Sequence, residues 1–307
     1  MTGAPAPQLW ERYVAIGDSF SEGMCDPLAA PGTAYAAAGA SLPGGVHRYA
    51  GWTDRLAVAL DVAAQAQGRR TRYANLAVRG RLLADVVGPQ VQAAIALRPD
   101  LVSIVGGGND LLRSSVDVDA LADQLDGAVA ALRAAGADVL MATTMDPREA
   151  PVMKYTRVRS AAYTANIWAI AHRHGAHVID QWTMAALRDW RLWAPDRIHL
   201  NAEGHRRIAL HAQHALGHPT DESDWRTPLP DKHLPTGRDA LVRDAQWVRE
   251  HVAPWLRRRV RGESSGDRMT AKQPELELPA RTWAGPADPT DAADAAGAAY
   301  PTDPPDA

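Results

Sequence analysis

The chain has 307 residues, of which 46% are hydrophobic and 22% charged, and this balance excludes a wholly disordered protein. Its 33 basic and 36 acidic residues give a formal net charge of −3 at pH 7. This near-balance gives no electrostatic reason to expect nucleic acid or an anionic membrane as a partner. The single cysteine, Cys25, cannot form an internal disulfide, which predicts a reducing compartment.

The sequence gives no indication of export or of membrane insertion. Its first residues lack the basic segment, apolar run and small-residue cleavage site of a secretory signal. No stretch approaches the roughly 18 apolar residues that a membrane-spanning helix requires. We therefore expect a cytoplasmic protein without an integral membrane segment.

Short apolar runs alternate with longer segments of helical spacing in the first two thirds of the chain. The runs predict strands at residues 13–17, 72–78, 101–105, 139–143 and 177–180. The segments between them predict helices at residues 53–67, 82–97, 118–135 and 157–174. Parallel neighbours in a sheet need helical crossovers, so this order predicts a three-layer α/β/α sandwich around a five-stranded parallel sheet.

The predicted catalytic domain covers residues 10–217, and three other regions differ from it in composition. Residues 26–49 are rich in Ala, Gly and Pro, and form either a lid over the site or an inert insertion. Residues 218–261 read as a Pro-rich linker and a helix, from about residue 238 to 260, that packs on the domain. Residues 262–307 lack periodicity and predict a disordered tail.

The residues that directly follow the predicted strands are the first candidates for a functional site, because ligands of such sheets bind beyond the carboxyl ends of the strands. Ser19 follows the first strand directly, and its hydroxyl becomes a nucleophile only if a base takes the proton. His199 is the candidate base. Asp196, three residues earlier, is placed to accept the second ring N–H of His199 and to stabilise the imidazolium.

Acyl transfer also needs donors that point at the oxyanion formed on the substrate carbonyl. Three donors follow neighbouring predicted strands: the backbone N–H of Ser19, the backbone N–H of Gly80 and the side-chain amide of Asn109. Glycine at position 80 suits a loop whose backbone approaches a ligand closely. These residues predict an oxyanion hole.

Four sequence blocks carry a family resemblance: Gly17-Asp18-Ser19-Phe20, the segment NLAVRG that ends at Gly80, Gly107-Gly108-Asn109-Asp110, and Asp196-Arg197-Ile198-His199. In this order they resemble the blocks of the SGNH, or GDSL-type, serine hydrolases. The resemblance implies a flavodoxin-like sheet and esterase, lipase or related acylhydrolase activity. It also implies Ser19 as nucleophile, Gly80 and Asn109 in the oxyanion hole, and Asp196 and His199 as orienter and base.

Single residues of these blocks and other polar residues also allow simpler structural interpretations. Ser19 alone would pass for a helix cap, and Asp18 and Asp110 are expected to hold turns by side-chain hydrogen bonds. Cys25 is interpreted as a bystander. Two groups of three histidines lack a carboxylate or Cys at metal-ligand spacing, so they are expected at the solvated surface and no metal site is predicted. These are His172, His174, His177, His211, His214 and His218.

The sequence thus predicts a serine acylhydrolase that cleaves a carboxylic ester through an acyl-enzyme intermediate and needs no cofactor. An acyltransferase with the same serine site, and a non-catalytic binding module on the same fold, remain as alternatives. The expected partner is a small-molecule ester; a short ester, a lysophospholipid, a thioester and an acetylated sugar all stay open. The sequence does not indicate an oligomeric state.

Overall fold

A computed structural model describes residues 8–26, 49–150, 153–230, 245, 247, 249, 265–267 and 269–280. Its centre is a six-stranded sheet in the order β5-β4-β3-β1-β2-β6. The strands are β1 (Arg12–Gly17), β2 (Arg72–Asn75), β3 (Leu101–Val105), β4 (Asp138–Ala142), β5 (His177–Ile179) and β6 (Gln273–Glu277). The first five pair in parallel, and β6 runs antiparallel to β2. The predicted α/β fold class and parallel sheet are therefore confirmed.

Both faces of the sheet are buried, as the apolar runs of the strands require. Successive side chains of a strand point to opposite faces, and β1 shows this with Val14 and Ile16 in one core and Tyr13 and Ala15 in the other. These two cores separate three layers.

Among the described residues, the α-helices are α1 (Ser19–Glu22), α2 (Trp52–Gln65), α3 (Leu83–Asp85), α4 (Val91–Ala96), α5 (Gly108–Leu111), α6 (Val118–Ala134), α7 (Arg157–His174), α8 (Ala202–Ala215) and α9 (Ser223–Arg226). Three of them, α2, α6 and α7, begin and end close to the helices predicted at residues 53–67, 118–135 and 157–174. Helices α6 and α7 contribute to one core, and α2 and α8 to the other. Helix α7 ends at Gly175, as expected for a glycine in the left-handed region.

The predicted helix at residues 82–97 is interrupted. Between α3 and α4 the chain forms a π-helical turn, Val86–Gln90, that contains Pro89. Proline removes a backbone donor from a helix interior, so the regular hydrogen-bond pattern is broken at this point. Gln90 is the last residue of this turn, and its side chain contacts the backbone of Gly17.

The sixth strand corrects two predictions. The sheet has six strands where five were expected, and β6 lies inside residues 262–307, which were predicted to be disordered. The sequence QPELE offers no apolar alternation of its own. Its extended structure is stabilised by pairing with β2, in which Tyr73 lies opposite Glu277 and Asn75 opposite Gln273.

Several predictions concern residues outside the described part of the chain. The predicted lid at residues 26–49 is described only at its ends, and the predicted C-terminal helix only at residues 245, 247 and 249. Among the described residues, no helix is both long and apolar enough to cross a membrane.

Candidate active site

The polar residues singled out from the sequence meet at the point where the strand order reverses. Strand β1 has β2 on one side and β3 on the other, although both follow it in the chain. Loops that leave the carboxyl ends of β1 and β3 diverge there and open a crevice. Ser19 follows β1 and Asn109 follows β3, so both lie at this crevice.

A tight turn presents Ser19. Gly17 has φ +149°, and a Cβ at this position would lie 2.4 Å from the carbonyl oxygen of Val105. The Asp18 carboxylate accepts a hydrogen bond from Phe20 N at 3.0 Å, which confirms the expectation that Asp18 holds the turn. Ser19 is the first residue of α1, so its N–H has no acceptor within the helix. The turn thus offers a hydroxyl and an N–H on one residue.

His199 joins the serine to an aspartate. Its Nε2 lies 2.9 Å from Ser19 Oγ, and its Nδ1 lies 2.6 Å from Asp196 Oδ2. The other carboxylate oxygen of Asp196 accepts from the backbone N–H groups of Ile198 and His199, at 2.9 and 3.0 Å. Because Asp196 is held on both oxygens, the orientation of the imidazole ring is fixed.

The negative charge of Asp196 and the positive charge of a protonated His199 stabilise each other. Burial acts to raise the pKa of Asp196, but the His199 ring and the two backbone donors outweigh it and lower the value to about 2. Burial acts to lower the pKa of His199, but the charge and hydrogen bond of Asp196 raise it above the ordinary 6.5, to about 10. An imidazolium at this position is therefore strongly stabilised.

The two other predicted donors are tied to the same turn. Asn109 Nδ2 donates to the carbonyl of Arg81 at 2.9 Å and lies 3.4 Å from Asp18 Oδ2. Gly80 adopts φ +71°. Its neighbour Arg79 donates through its backbone N–H to Glu22 of α1, at 2.7 Å. Gly80 therefore lies between one residue bonded to the serine helix and one bonded to Asn109.

Gln90 is a supporting residue that the sequence analysis missed. Its side-chain Oε1 accepts from Gly17 N at 2.8 Å, and its Nε2 donates to Gly17 O at 3.0 Å. The π-helical turn brings this amide onto the backbone just before the serine. A Gly-Pro-Gln sequence inside a helical pattern was the available signal, because such a π-helical turn often occurs near functional sites.

A buried ion pair was missed as well. Glu22 and Arg79 are almost fully buried, and Arg79 donates to Glu22 through Nε and Nη2 at 3.0 and 2.5 Å. The pair connects α1 to the loop that carries Gly80. A single carboxylate three residues after a candidate nucleophile gave no distinctive signal.

Cys25 lies closer to the site than the sequence suggested. Its Sγ is 3.9 Å from Asp196 Oδ2. Among the described residues, Cys25, Asp196 and His199 form the one group whose ligand atoms are close enough to hold a metal ion. Asp196 and His199 are already joined by a 2.6 Å hydrogen bond, so a proton occupies the space between them.

The two groups of histidines that were expected at the surface are not fully exposed. His174 contacts Asp126 at 2.8 Å, and His177 contacts the carbonyl of Ala215 at 3.0 Å. His211 and His218 are buried, which corrects the expectation of solvated side chains. His211 stacks on Trp225 with ring centroids 3.9 Å apart, and this aromatic packing explains its burial.

The model of the GDSL-like lipase/acylhydrolase family matches residues 15–207. This range includes all the predicted site residues and more than half of the chain. The chain belongs to the GDSL-like lipase/acylhydrolase family, and so to a class of acyl-group hydrolases. No curated protein matches the sequence.

Solved structures share the fold. An α/β hydrolase from the metagenome of Lake Arreo, Spain, is 23% identical, with a TM-score of 0.52 over 67% of this chain and 95% of its own. The acetylxylan esterase Axe2 from Geobacillus stearothermophilus is 21% identical, with a TM-score of 0.52 over 70% of this chain and 97% of its own. At these identities the likeness concerns the arrangement of helices and strands.

Proposed function

We propose that the protein is a serine acylhydrolase that cleaves a carboxylic ester of a small molecule. The observation that carries the proposal is the continuous hydrogen-bond chain from Ser19 through His199 to Asp196. Each residue of this chain has the chemistry that its position demands: a hydroxyl, a base and an anion that orients the base.

The reaction proceeds in two halves. His199 Nε2 takes the proton of Ser19 Oγ as that oxygen attacks the ester carbonyl. Asp196 stabilises the imidazolium formed in this step. His199 then protonates the leaving alcohol, which departs and leaves an acyl group on Ser19. In the second half, His199 takes a proton from a water molecule, which attacks the acyl group, and Ser19 leaves with that proton as the acid is released.

The oxyanion formed in each half needs donors that are already in place. The N–H of Ser19 at the start of α1, the N–H of Gly80 and the Asn109 amide are the proposed donors. In the resting enzyme Asn109 keeps one short bond, to Arg81 O at 2.9 Å, and one long contact, to Asp18 at 3.4 Å. We propose that the long contact is exchanged for the substrate oxyanion while the short one holds the amide.

The experiment that tests the proposal compares wild type with Ser19→Ala on p-nitrophenyl esters of increasing acyl length. We expect ester cleavage by the wild type and its loss in the variant, and the chain-length optimum sizes the acyl pocket. In a p-nitrophenyl alkylphosphonate, Ser19 Oγ is expected to displace p-nitrophenolate from phosphorus, which marks Ser19 for detection by mass spectrometry of the peptide. A folded wild type that cleaves no ester and takes up no phosphonate would leave the binding module as the better reading.

A further inference from the structure

The part of the chain beyond the family match contacts the site. We define the C-terminal extension as the described residues between 245 and 280, all of which lie after residue 207, where the family match ends. Three of its residues contact three different segments that carry proposed site residues. These are Trp247, Gly266 and Lys272.

Trp247 contacts the loop of the proposed base. Its indole Nε1 donates to the backbone carbonyl of Asp196 at 2.8 Å, and the side chain is buried, with 8% of the residue exposed. Asp196 is the residue whose carboxylate holds His199. A buried, directional bond to its main chain therefore limits how far that carboxylate can move.

Trp247 also packs on Arg197, which lies between Asp196 and His199 in the chain. Arg197 has φ +55°, a left-handed conformation that is costly for a residue with a side chain. Its guanidinium lies 5.1 Å from the Trp247 ring and 5.7 Å from the Trp190 ring. Stacking between two indoles stabilises a cation, so this contact supports the turn that aims Ile198 N and His199 N at Asp196.

The other two contacts of the extension fall on the serine helix and on the loop of Gly80. The side chain of Lys272 is buried, and its Nζ donates to the carbonyl of Glu22, at the end of α1, and to Asp54. Gly266 packs against the backbone of Arg79, where a Cβ would come within 2.0 Å of the Arg79 oxygen. Its carbonyl accepts from Arg81 at 3.5 Å. Both contacts act on backbone next to the proposed catalytic groups.

We propose that the C-terminal extension completes the active site, with Trp247 as a positioning residue for the Asp196–His199 pair. This inference rests on the proposed function. Trp247 touches no reacting atom; it holds the backbone from which the Asp196 carboxylate reaches His199. Loss of its N–H loosens that carboxylate, so the imidazole loses orientation and part of the stabilisation of its charged form.

The test is Trp247→Phe, which removes the indole N–H and keeps an aromatic ring. Trp168→Phe, at an exposed position on α7, is the matched control. Both are assayed in the full chain, with the concentration of competent sites fixed by phosphonate titration. For Trp247→Phe we expect kcat per competent site to fall about 10-fold with KM unchanged, as for loss of one hydrogen bond of about 1.4 kcal/mol. The rate of phosphonate labelling is expected to fall equally.

The pH dependence separates positioning from a merely structural role. A more mobile Asp196 carboxylate raises the pKa of His199 less. The acid limb, which is the part of the profile where kcat/KM rises with pH, therefore moves to lower pH in Trp247→Phe and stays in place in Trp168→Phe. If Trp247→Phe only lowers the melting temperature, while kcat per competent site and the acid limb match the control, the inference is overturned.

A second variant keeps the test decisive if Trp247→Phe folds poorly. Arg197→Met removes the cation from between the two indoles, and we expect the same direction of change in kcat and in the acid limb. An Arg197→Met enzyme with wild-type values for both would also count against the inference. A wild type without esterase activity or phosphonate labelling would instead contradict the proposed function, which distinguishes the two failures.

Discussion

Asn109 is the side chain whose proposed role makes the most direct prediction. Asn109→Ala removes the only proposed oxyanion donor that belongs to a side chain. Loss of one such donor costs about 100- to 1000-fold in turnover in serine hydrolases. We expect a fall of this size in kcat with a small change in KM, measured on the best p-nitrophenyl ester.

The control for this variant is Asn166→Ala on α7, whose amide contacts the exposed Asp119. It is expected to retain wild-type kcat. An Asn109→Ala enzyme with unchanged turnover would remove Asn109 from the mechanism.

Asp196 predicts a pH effect with a definite sign. His199 must lose its proton to act as a base, and Asp196 raises its pKa above the ordinary 6.5. We therefore expect kcat/KM of the wild type to rise with pH through an acid limb above pH 6.5. In Asp196→Asn the negative charge is gone and burial lowers the pKa, so the limb moves to lower pH.

Turnover of Asp196→Asn is expected to fall on the order of 1000- to 10,000-fold, because an amide favours the wrong tautomer of the imidazole. Asp117→Asn, at the exposed N-cap of α6, is the control, and it is expected to change neither the pH of the acid limb nor the turnover. A wild-type limb at or below pH 6.5 would contradict the stabilisation of the imidazolium by Asp196.

The proposed catalytic residues could be singled out in the sequence because their chemistry is carried by side chains of distinctive type in short motifs. The residues that hold them could not. Gln90 and Trp247 both act on backbone groups, at Gly17 and Asp196, and a backbone group has no signature in the sequence. Their partners are 73 and 51 residues away, distances set by the tertiary fold alone.

Between elements, the buried Glu22–Arg79 pair joins α1 to the loop of Gly80. Glu22→Gln leaves the buried guanidinium without the charge of Glu22, which we expect to lower the free energy of unfolding by about 3 kcal/mol. Urea denaturation measures this change. The turnover is expected to fall too, because glutamine has one acceptor oxygen where Glu22 uses two, for the backbone N–H and for the guanidinium of Arg79.

The double variant Glu22→Leu/Arg79→Met is the matched comparison. It replaces both charges by apolar side chains, so it is expected to recover most of the lost stability and little of the turnover. Equal stability of wild type and Glu22→Gln would mean that the ion pair does not stabilise the junction.

The strands show where sequence patterns suffice and where they do not. The five parallel strands are apolar runs buried on both faces, and each was predicted within a few residues. The second strand ends at Asn75 instead of residue 78, although Leu76 N and Val78 N still bond to Ala15 and Gly17. Strand β6 was not predicted because its extended structure is stabilised by pairing with the edge of β2 and not by an apolar pattern of its own.

For the whole molecule, the free energy of unfolding depends on pH through buried histidines. Burial lowers the pKa of His211 to about 3. Between about pH 3 and 6.5 the unfolded chain binds a proton that the folded protein does not, so this group destabilises the fold as the pH falls. His205, also buried with a pKa lowered to about 3, acts in the same direction.

His211→Phe keeps the stacking on Trp225 and removes the titration. We expect the free energy of unfolding of this variant, relative to wild type, to rise by about 1 kcal/mol between pH 7.5 and 5.5. Urea denaturation of both proteins at the two pH values checks the difference. A constant difference across this range would show that His211 titrates in the same way when folded and unfolded.

The antiparallel strand β6 has a consequence for how this protein can be divided. A sheet edge with unpaired N–H and C=O groups is a template for another chain, and β6 covers that edge of β2. A fragment cut after residue 217 would keep all the proposed catalytic residues but expose the edge. We expect such a fragment to self-associate on light scattering where the full chain does not, so a boundary drawn from motifs alone yields an aggregation-prone product.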